Sequence, residues 1–349
     1  MKTPLLFSLP FMISLVGCGS SATAPDPSLT ELAAAEAIAA TQEGIKQQES
    51  KASSRAFVFH YDFRLHGLQP GTPLKVWLPV PQTNEWQVVK PGEMIAPVVP
   101  TETFEARYSN KMQHFDFAVP ESGEASFQIP YEVTRKEVRL EELDSDDLLP
   151  GDLFLTANNK VPIEGKATSL LGGVALPLDP IKRARAIYDL VDDHVKYSKD
   201  GEGWGQGDSE WVCDSRFGNC TDFHSLFISL ARSKGIHARF EIGFPIAPDV
   251  ESGLVGGYHC WGWFHVDGKG WVPVDISEAD KHPEMKEYYF GNVTADRVAF
   301  STGRDLVLEP KQSRPPLNFF VYPYAEVDGN VLDRKHVELK FAFDTPGHG

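Results

Sequence analysis

The clearest chemical feature of the sequence is a cysteine at the start of an amphipathic segment. Asn219 and Asp222 flank Cys220 with the spacing of a helix N-cap and a capping-box acid. Apolar residues then follow at helical spacing, at Phe223, Leu226, Phe227, Leu230 and Ala231, until Gly235. Cys220 is thus predicted to open a helix, whose positive end stabilises a thiolate. An exposed thiolate there is a candidate nucleophile; a small buried cysteine is the alternative.

A histidine and an aspartate lie on either side of a turn sequence rich in glycine. The residues around His259 and Asp275 predict the two antiparallel strands of a hairpin. His259 can act as a base, and Asp275 can accept its second ring proton and fix the tautomer. The two side chains share a face only if the loop has an odd length or contains a bulge. We therefore expect an odd loop, or a bulge near Gly268 or Gly270.

Together these motifs resemble those of the transglutaminase-like superfamily. The resemblance lies in Gly-Asn-Cys-Thr-Asp at 218–222, in Arg232 with Gly-Ile-His-Ala-Arg at 235–239, in His-Cys-Trp at 259–261 and in Gly-Trp-Val-Pro-Val-Asp at 270–275. It covers residues 180–280 closely. It implies a papain-like core in which Cys220 is the nucleophile, His259 the general base and acid, and Asp275 the residue that orients His259. The common pattern has His-Ala-Trp, and the replacing Cys260 is expected to face away from His259 on the strand.

The resemblance also implies acyl transfer through a thioester, with a protein or peptide as substrate. The oxyanion then needs two donors, for which the Cys220 backbone N–H and the side chain of Trp204, or failing that Tyr197, are candidates. Trp211 lies in the glycine-rich stretch 200–219, which is either a wall of the site or a surface loop pinned by tryptophans. His224 is a second possible base, although a polar wall residue is the favoured interpretation.

Two other uses of the cysteines stay open. Cys213, Cys220, His224, His259 and Cys260 could form a zinc site, but their spacings are not those of zinc fingers, so we expect neither a metal nor another cofactor. In an oxidising compartment Cys213 and Cys260 could instead pair as a disulfide and leave Cys220 free. The chain could also be a binding module that keeps the fold without catalysis.

The first residues predict the compartment. Lys2 is followed by an apolar run, Leu5–Val16, that is too short to cross a bilayer, and then by Gly17 and Cys18. This order resembles a bacterial lipoprotein signal in which Cys18 becomes the lipidated first residue; an ordinary signal peptide is the alternative. Because no aspartate follows Cys18, the resemblance implies an outer-membrane anchor facing the periplasm. We expect the acyl chains to be the membrane anchor.

Composition excludes some other functions. The chain has 349 residues, a net charge of −16 and four cysteines. An acidic surface repels phosphate backbones, so nucleic-acid binding is disfavoured. Four cysteines are too few for a scaffold built from disulfides.

The predicted fold class is α+β, with a papain-like, transglutaminase-like core preceded by a β-sandwich-like domain. The segments are a signal peptide (1–17), a tether with an Ala-rich helix (18–54), the β-sandwich-like domain (55–140), a connector (141–179) and the catalytic domain (180–345), whose core motifs span 211–280. Strands predicted after Asp275, at 297–304, 306–308, 318–322 and 336–343, are expected to complete the catalytic domain.

Overall fold

The computed structural model describes residues 54–145 and 150–346. The predicted signal peptide, Cys18 and the Ala-rich helix lie outside the described residues. Residues Ser53–Gly349 form one compact unit. In the described ranges, none of the helices is both long enough and apolar enough to cross a membrane.

Sixteen strands and four α-helices build the described part of the chain. The strands are β1 (Ser54–Leu65), β2 (Pro73–Pro79), β3 (Gln87–Pro91), β4 (Thr101–Phe104), β5 (Lys111–Ala118), β6 (Ala125–Lys136), β7 (Lys196–Tyr197), β8 (Phe217–Gly218), β9 (Ala238–Pro245), β10 (Ser252–Val255), β11 (His259–Val266), β12 (Gly270–Val274), β13 (Arg297–Thr302), β14 (Tyr324–Val327), β15 (Asn330–Val331) and β16 (Val337–Asp344). The helices are α1 (Pro180–His194), α2 (Ser209–Ser215), α3 (Cys220–Ser233) and α4 (Ile276–Lys281).

Two five-stranded sheets form the β-sandwich. One has the order β10-β16-β1-β6-β3 and the other β15-β14-β2-β5-β4. Alternation along β1 buries every second side chain from Phe57 to Leu65. Phe63 stacks on Phe127 of the same sheet with ring centroids 4.2 Å apart, and Phe115 of the other sheet meets Phe127 at 5.1 Å. The aromatic face of β1 therefore fills the space between the two sheets.

The last strands of the chain close this sandwich. β16 lies antiparallel to β1, with Phe343 opposite Phe59, and β14 lies antiparallel to β2, with Tyr324 opposite Trp77. For the strand predicted at 336–343, the expectation that it completes the catalytic domain is therefore wrong, because its buried face matches β1 instead. The strand predicted at 297–304 forms as β13 and pairs with β9, whereas the two at 306–308 and 318–322 reduce to one bridge between Leu306 and Leu317.

A separate antiparallel sheet of four strands, β12-β11-β9-β13, carries helix α3 on one face. At Gly262 in the middle of β11, an added Cβ would lie 3.2 Å from Val274 of β12 and 3.6 Å from His224 and Phe227 of the helix. A side chain larger than that of alanine would therefore have little room at this position. Phe59 of the sandwich packs 5.0 Å from Phe244 of β9, so the four-stranded sheet and the sandwich share one core.

The β11–β12 hairpin confirms the predicted odd loop. Gly262 pairs with Val274 and Val266 pairs with Gly270, so three residues, 267–269, form the loop. Gly268 and Gly270 both have φ of +74°, a conformation that glycine adopts without strain. With this register, the positions of His259 and Asp275 lie on the same face of the hairpin.

We expect Gly262→Val to lower the free energy of unfolding by about 1–3 kcal/mol, because a larger side chain would overpack the contact between α3 and the sheet. Urea denaturation measures this loss. Gly256→Val is the matched control, since an added Cβ at Gly256 meets nothing within 4 Å. Equal losses in the two variants would contradict the close packing at Gly262.

Candidate active site

Helix α3 begins as the sequence predicts. The Asn219 side chain accepts a hydrogen bond from the Thr221 N–H at 2.9 Å, and the Asp222 carboxylate accepts one from the Asn219 N–H at 2.9 Å. Cys220 is the first helical residue. The expectation of an exposed thiol is wrong, however, because only 3% of Cys220 is accessible to solvent.

Three side chains from three separate elements meet at this helix start. His259, at the beginning of β11, places Nε2 2.7 Å from Oδ2 of Asp275, which caps helix α4. His259 and Cys220 also act on each other, since His259 lowers the pKa of the thiol and Cys220 raises the pKa of the imidazole. The structure thus assembles the predicted cysteine, histidine and aspartate in one connected row.

The charges of the row stabilise one another. Burial by itself would raise the pKa of the Cys220 thiol, but the hydrogen bonds from Cys260 and His259 and the positive charge of His259 outweigh burial, so the pKa lies well below its usual value. Burial lowers the pKa of His259, but the charge and hydrogen bond of Asp275, together with Cys220, outweigh burial and raise the pKa to about 10. Both shifts favour the charged pair, in which a Cys220 thiolate faces a His259 imidazolium.

Arg297 is a fourth member of the row that the sequence reasoning missed. Its Nη1 lies 3.0 Å from Oδ2 of Asp275, and its guanidinium packs 4.8 Å from the ring of Trp261. Burial raises the pKa of Asp275, but His259 and Arg297 lower it far more, so the carboxylate stays ionised. No local motif marks Arg297, which lies 22 residues after Asp275.

His224 ties the helix start to the loop of Asp275. The Ile276 N–H donates to Nε2 of His224 at 3.1 Å, so the ring proton resides on Nδ1, which donates to the Cys220 carbonyl at 2.7 Å. Burial lowers the pKa of His224, which keeps the ring neutral. Since both ring nitrogens are occupied, the geometry favours the wall residue over the second base.

Cys260 lies closer to the chemistry than strand alternation suggests. Its Sγ lies 3.9 Å from Oγ1 of Thr221 and 3.7 Å from Nδ1 of His224, because helix α3 packs over this face of β11. Burial raises the pKa of the Cys260 thiol, and Cys220 raises it further. The pairing of Cys213 with Cys260 is not formed: in the described residues Cys213, Cys220 and Cys260 are free thiols.

The glycine-rich stretch forms a loop strapped to the first turn of α3. The Asp222 carboxylate accepts the N–H groups of Gly205 at 2.7 Å and Gly207 at 2.8 Å, in addition to that of Asn219. On the other side, Arg304 donates to the Gly207 carbonyl at 2.8 Å. The loop therefore lies against the helix turn that begins with Cys220, which favours the interpretation of the loop as a wall of the site.

The tryptophans and the tyrosine predicted around the site have different positions. Trp211 packs under the loop, where an added Cβ on Gly203 would lie 2.7 Å from its ring. Burial raises the pKa of Tyr197, and the charge of Cys220 raises it further, which places this hydroxyl in the field of the thiolate. The rings of Trp204 and Tyr197 each lie 5.9 Å from the Lys199 ammonium. Of the two oxyanion candidates, Tyr197 also packs near Phe223 of α3, with ring centroids 6.4 Å apart.

A different set of residues has the geometry of metal ligands. In the described part of the chain, the group whose ligand atoms all lie within 4.8 Å of one another is His259, Asp275 and Glu278. The five residues considered for a zinc site are not brought together as a group of ligands in the described residues. One of them, Cys213, lies on α2, where its carbonyl is hydrogen-bonded to His194 at 2.8 Å. His259 and Asp275 already bond to each other, so a metal there would displace the contact that orients the histidine.

The part of the chain that forms the site matches a known family. The model of the transglutaminase-like superfamily matches residues 169–276, which contain Cys220, His259 and Asp275. Residues 169–276 form a transglutaminase-like domain. Helix α3, the β11–β12 hairpin and the strapped loop all lie within it.

Two known proteins resemble larger parts of the chain. An uncharacterized protein of Haemophilus influenzae is 32% identical over 187 aligned residues. The alignment covers 44% of this chain and 51% of that protein. The chain thus spans about half the length of this curated relative. A crystal structure from Cytophaga hutchinsonii, of a protein provisionally named a cysteine protease, has a TM-score of 0.53 at 17% identity and covers 83% of this chain and 91% of that one. This likeness is one of fold.

Arginines of the family-like motifs have structural partners. Arg232 donates to the Ala238 carbonyl at 2.7 Å and to Oδ1 of Asn158 at 2.7 Å, which joins the end of α3 to β9. Arg239 places its guanidinium 4.2 Å from the ring of Trp271. In the transglutaminase-like domain these motif residues hold the helix and the hairpin in place around the row.

We expect Cys220 to react with iodoacetamide at a nearly constant rate from about pH 6 to 8, because its depressed pKa leaves it ionised throughout that range. Mass spectrometry of each cysteine peptide measures the rates. Cys213 is the internal control: burial and two acidic neighbours raise its pKa, so its rate should rise only at alkaline pH.

In His259→Ala, burial is no longer offset by the imidazolium, and Cys220 labelling should rise only above about pH 8.5. A Cys220 rate that follows pH in the same way with and without His259 would contradict the charged pair.

We expect Asp222→Ala to speed amide hydrogen exchange in the loop 203–207 by about 10–100-fold, because it removes charge-assisted hydrogen bonds to the loop. Asp214→Ala, which removes an exposed carboxylate of α2, is the matched control. The strap would be refuted by equal loop exchange in both variants.

Proposed function

We propose that the chain is a cysteine-dependent acyl-transfer enzyme that acts on the carboxamide or peptide bond of a protein or peptide through a thioester on Cys220. The observation that carries the proposal is the row of Cys220, His259 and Asp275, in which Nε2 of His259 lies 2.7 Å from the carboxylate and His259 and Cys220 shift each other's pKa. A thiolate next to an oriented imidazolium is the arrangement that nucleophilic catalysis by cysteine requires.

In the first step, the Cys220 thiolate attacks the carbonyl carbon and a C–S bond forms. The C–N bond then breaks, and His259 transfers its proton to the leaving nitrogen, so that ammonia or an amine departs. Asp275 stays ionised throughout and holds the ring in place, which its depressed pKa allows. The products of this step are a thioester on Cys220 and a neutral His259.

In the second step, neutral His259 takes a proton from water or from a primary amine, whose oxygen or nitrogen attacks the thioester. The C–S bond breaks, which restores the thiolate and the imidazolium. Water gives hydrolysis, and an amine gives a new amide. Because His259 has a pKa of about 10, the charged resting state persists over the neutral range.

The oxyanion of each step forms next to the start of α3. The Cys220 backbone N–H lies in the first turn of the helix, where amide groups point out along the helix axis. The Tyr197 hydroxyl is the proposed second donor, because its ring packs near Phe223 at the start of α3 and because burial and the charge of Cys220 raise its pKa.

Turnover tests the proposal. Full-length protein is incubated with a glutamine-containing peptide library, with and without a primary amine, and intact mass identifies deamidation, amine incorporation or backbone cleavage. We expect Cys220→Ala to abolish the reaction and Asp275→Asn to slow it by roughly 10²–10⁴-fold, because an unoriented His259 is a poor base.

Cys213→Ala should leave turnover unchanged, since Cys213 lies on α2 outside the row. A wild-type protein that turns over none of these peptides, although Cys220 reacts with a thiol probe in a His259-dependent way, would reject this substrate class. A protein in which neither reaction occurs would be a binding module.

We further propose that the enzyme is a lipoprotein anchored through Cys18 to the outer membrane, facing the periplasm. Support comes from the sequence order of Lys2, the apolar run Leu5–Val16 and the small residue before Cys18. We expect globomycin to cause a larger precursor to accumulate, and Cys18→Ser to abolish metabolic labelling with a fatty acid. Unchanged precursor size under globomycin would contradict the anchor.

A further inference from the structure

The active site contains a second thiol that the proposed reaction does not use. Cys260 is fully buried, and its Sγ contacts Oγ1 of Thr221 at 3.9 Å and Nδ1 of His224 at 3.7 Å. Both contacts are with the first turn of α3, where Cys220 begins the helix. Each of the two cysteines also shifts the pKa of the other, lower for Cys220 and higher for Cys260. The second thiol therefore lies against the helix turn that carries the nucleophile.

The two thiols differ in reactivity. The row of charges ionises Cys220, and the thiolate is the form that hydroperoxides oxidise. Burial and the charge of Cys220 keep Cys260 protonated, so it does not compete for the oxidant. A reactive thiolate next to a protected thiol is the arrangement in which one cysteine is oxidised and the other resolves it.

We infer that Cys220 and Cys260 form a reversible disulfide when a hydroperoxide enters the site, and that this disulfide switches the enzyme off. Its effect on activity rests on the proposed function, whereas its formation does not. The inferred disulfide differs from the one that the sequence left open, because it links Cys260 to Cys220 and not to Cys213.

The disulfide forms in two steps. The Cys220 thiolate attacks the peroxide oxygen, the O–O bond breaks, and a sulfenic acid forms while the peroxide leaves as hydroxide or alkoxide. The Cys260 thiol then attacks the sulfenic sulfur, the S–S bond forms and water leaves. The two sulfurs together lose two electrons, and the peroxide gains them. A dithiol reverses the reaction by thiol–disulfide exchange.

Neighbouring groups assist the second step. After the first step, His259 faces a neutral sulfenic acid, and its proton can leave with the departing hydroxide. His224 holds its proton on Nδ1, 3.7 Å from the Cys260 sulfur, where it can stabilise negative charge as that thiol attacks. Cys213 has no such position, since it lies on α2 near Asp214, Glu210 and Lys166.

Peptide mapping tests the inference without an activity assay. Full-length protein is treated with hydrogen peroxide, alkylated and digested with trypsin, which places Cys213, Cys220 and Cys260 in separate peptides (200–216, 217–232 and 240–269). We expect peptides 217–232 and 240–269 to appear as one species that has lost two hydrogen atoms, and dithiothreitol to restore both. The Cys213 peptide should remain alkylated.

Two variants sharpen the test. In Cys213→Ala the cross-linked species should form as in the wild type. In Cys260→Ser no resolving thiol remains, so Cys220 should gain two oxygen atoms as a sulfinic acid that dithiothreitol does not reduce. The same sulfinic acid in wild-type protein, with Cys260 still alkylatable, would overturn the inference. So would a disulfide that contains Cys213.

Formation of the disulfide can be tested independently of the proposed activity. A cross-link between Cys220 and Cys260 in a protein that turns over no peptide would support the disulfide and reject the activity. Turnover that survives quantitative cross-linking would instead show that the disulfide is not a switch.

Discussion

The site depends on a buried pair of opposite charges, the Cys220 thiolate and the His259 imidazolium. Removing both from water is costly, and the pair persists only if further polar groups compensate for the lost hydration. Asp275 provides this compensation for His259 at 2.7 Å, and Arg297 compensates Asp275 at 3.0 Å. The alternating chain of charges from Cys220 to Arg297 therefore explains why these groups can be ionised although all of them are buried.

The rest of the domain maintains this chain of charges. Helix α3 carries the Cys220 thiol at its positive end. The odd hairpin loop puts His259 and Asp275 on the same face. His224 links the helix to the segment that follows Asp275. Asp222 and Arg304 hold the glycine-rich loop against the same helix turn. These supports are themselves buried hydrogen bonds, so a change in one of them is expected to alter the geometry of the row.

Much of this arrangement is predictable from the sequence because it is local. The cap at Asn219, the end of the helix near Gly235 and the odd loop at 267–269 each follow from residues close in the chain. The assignment of Cys220, His259 and Asp275 came from motif resemblance, and the structure brings the three together.

What the sequence missed is non-local. The burial of Cys220 follows from a loop, a strand and a helix that meet there, and no single segment encodes it. Arg297 comes from β13, and strand alternation alone could not show that α3 packs over Cys260. The C-terminal strands β16 and β14 pair with β1 and β2, which lie near the other end of the described chain. Such pairing is set by the match between buried faces and not by proximity in the sequence.

The charged pair is tested most directly by the ultraviolet absorbance of the thiolate, recorded as the difference between the full-length wild type and Cys220→Ser at neutral pH. The account predicts one thiolate in the wild type that persists down to mildly acidic pH, and its loss in His259→Ala at the same pH. A wild-type protein without thiolate absorbance at neutral pH would contradict it, because Cys220 would then be an ordinary buried thiol.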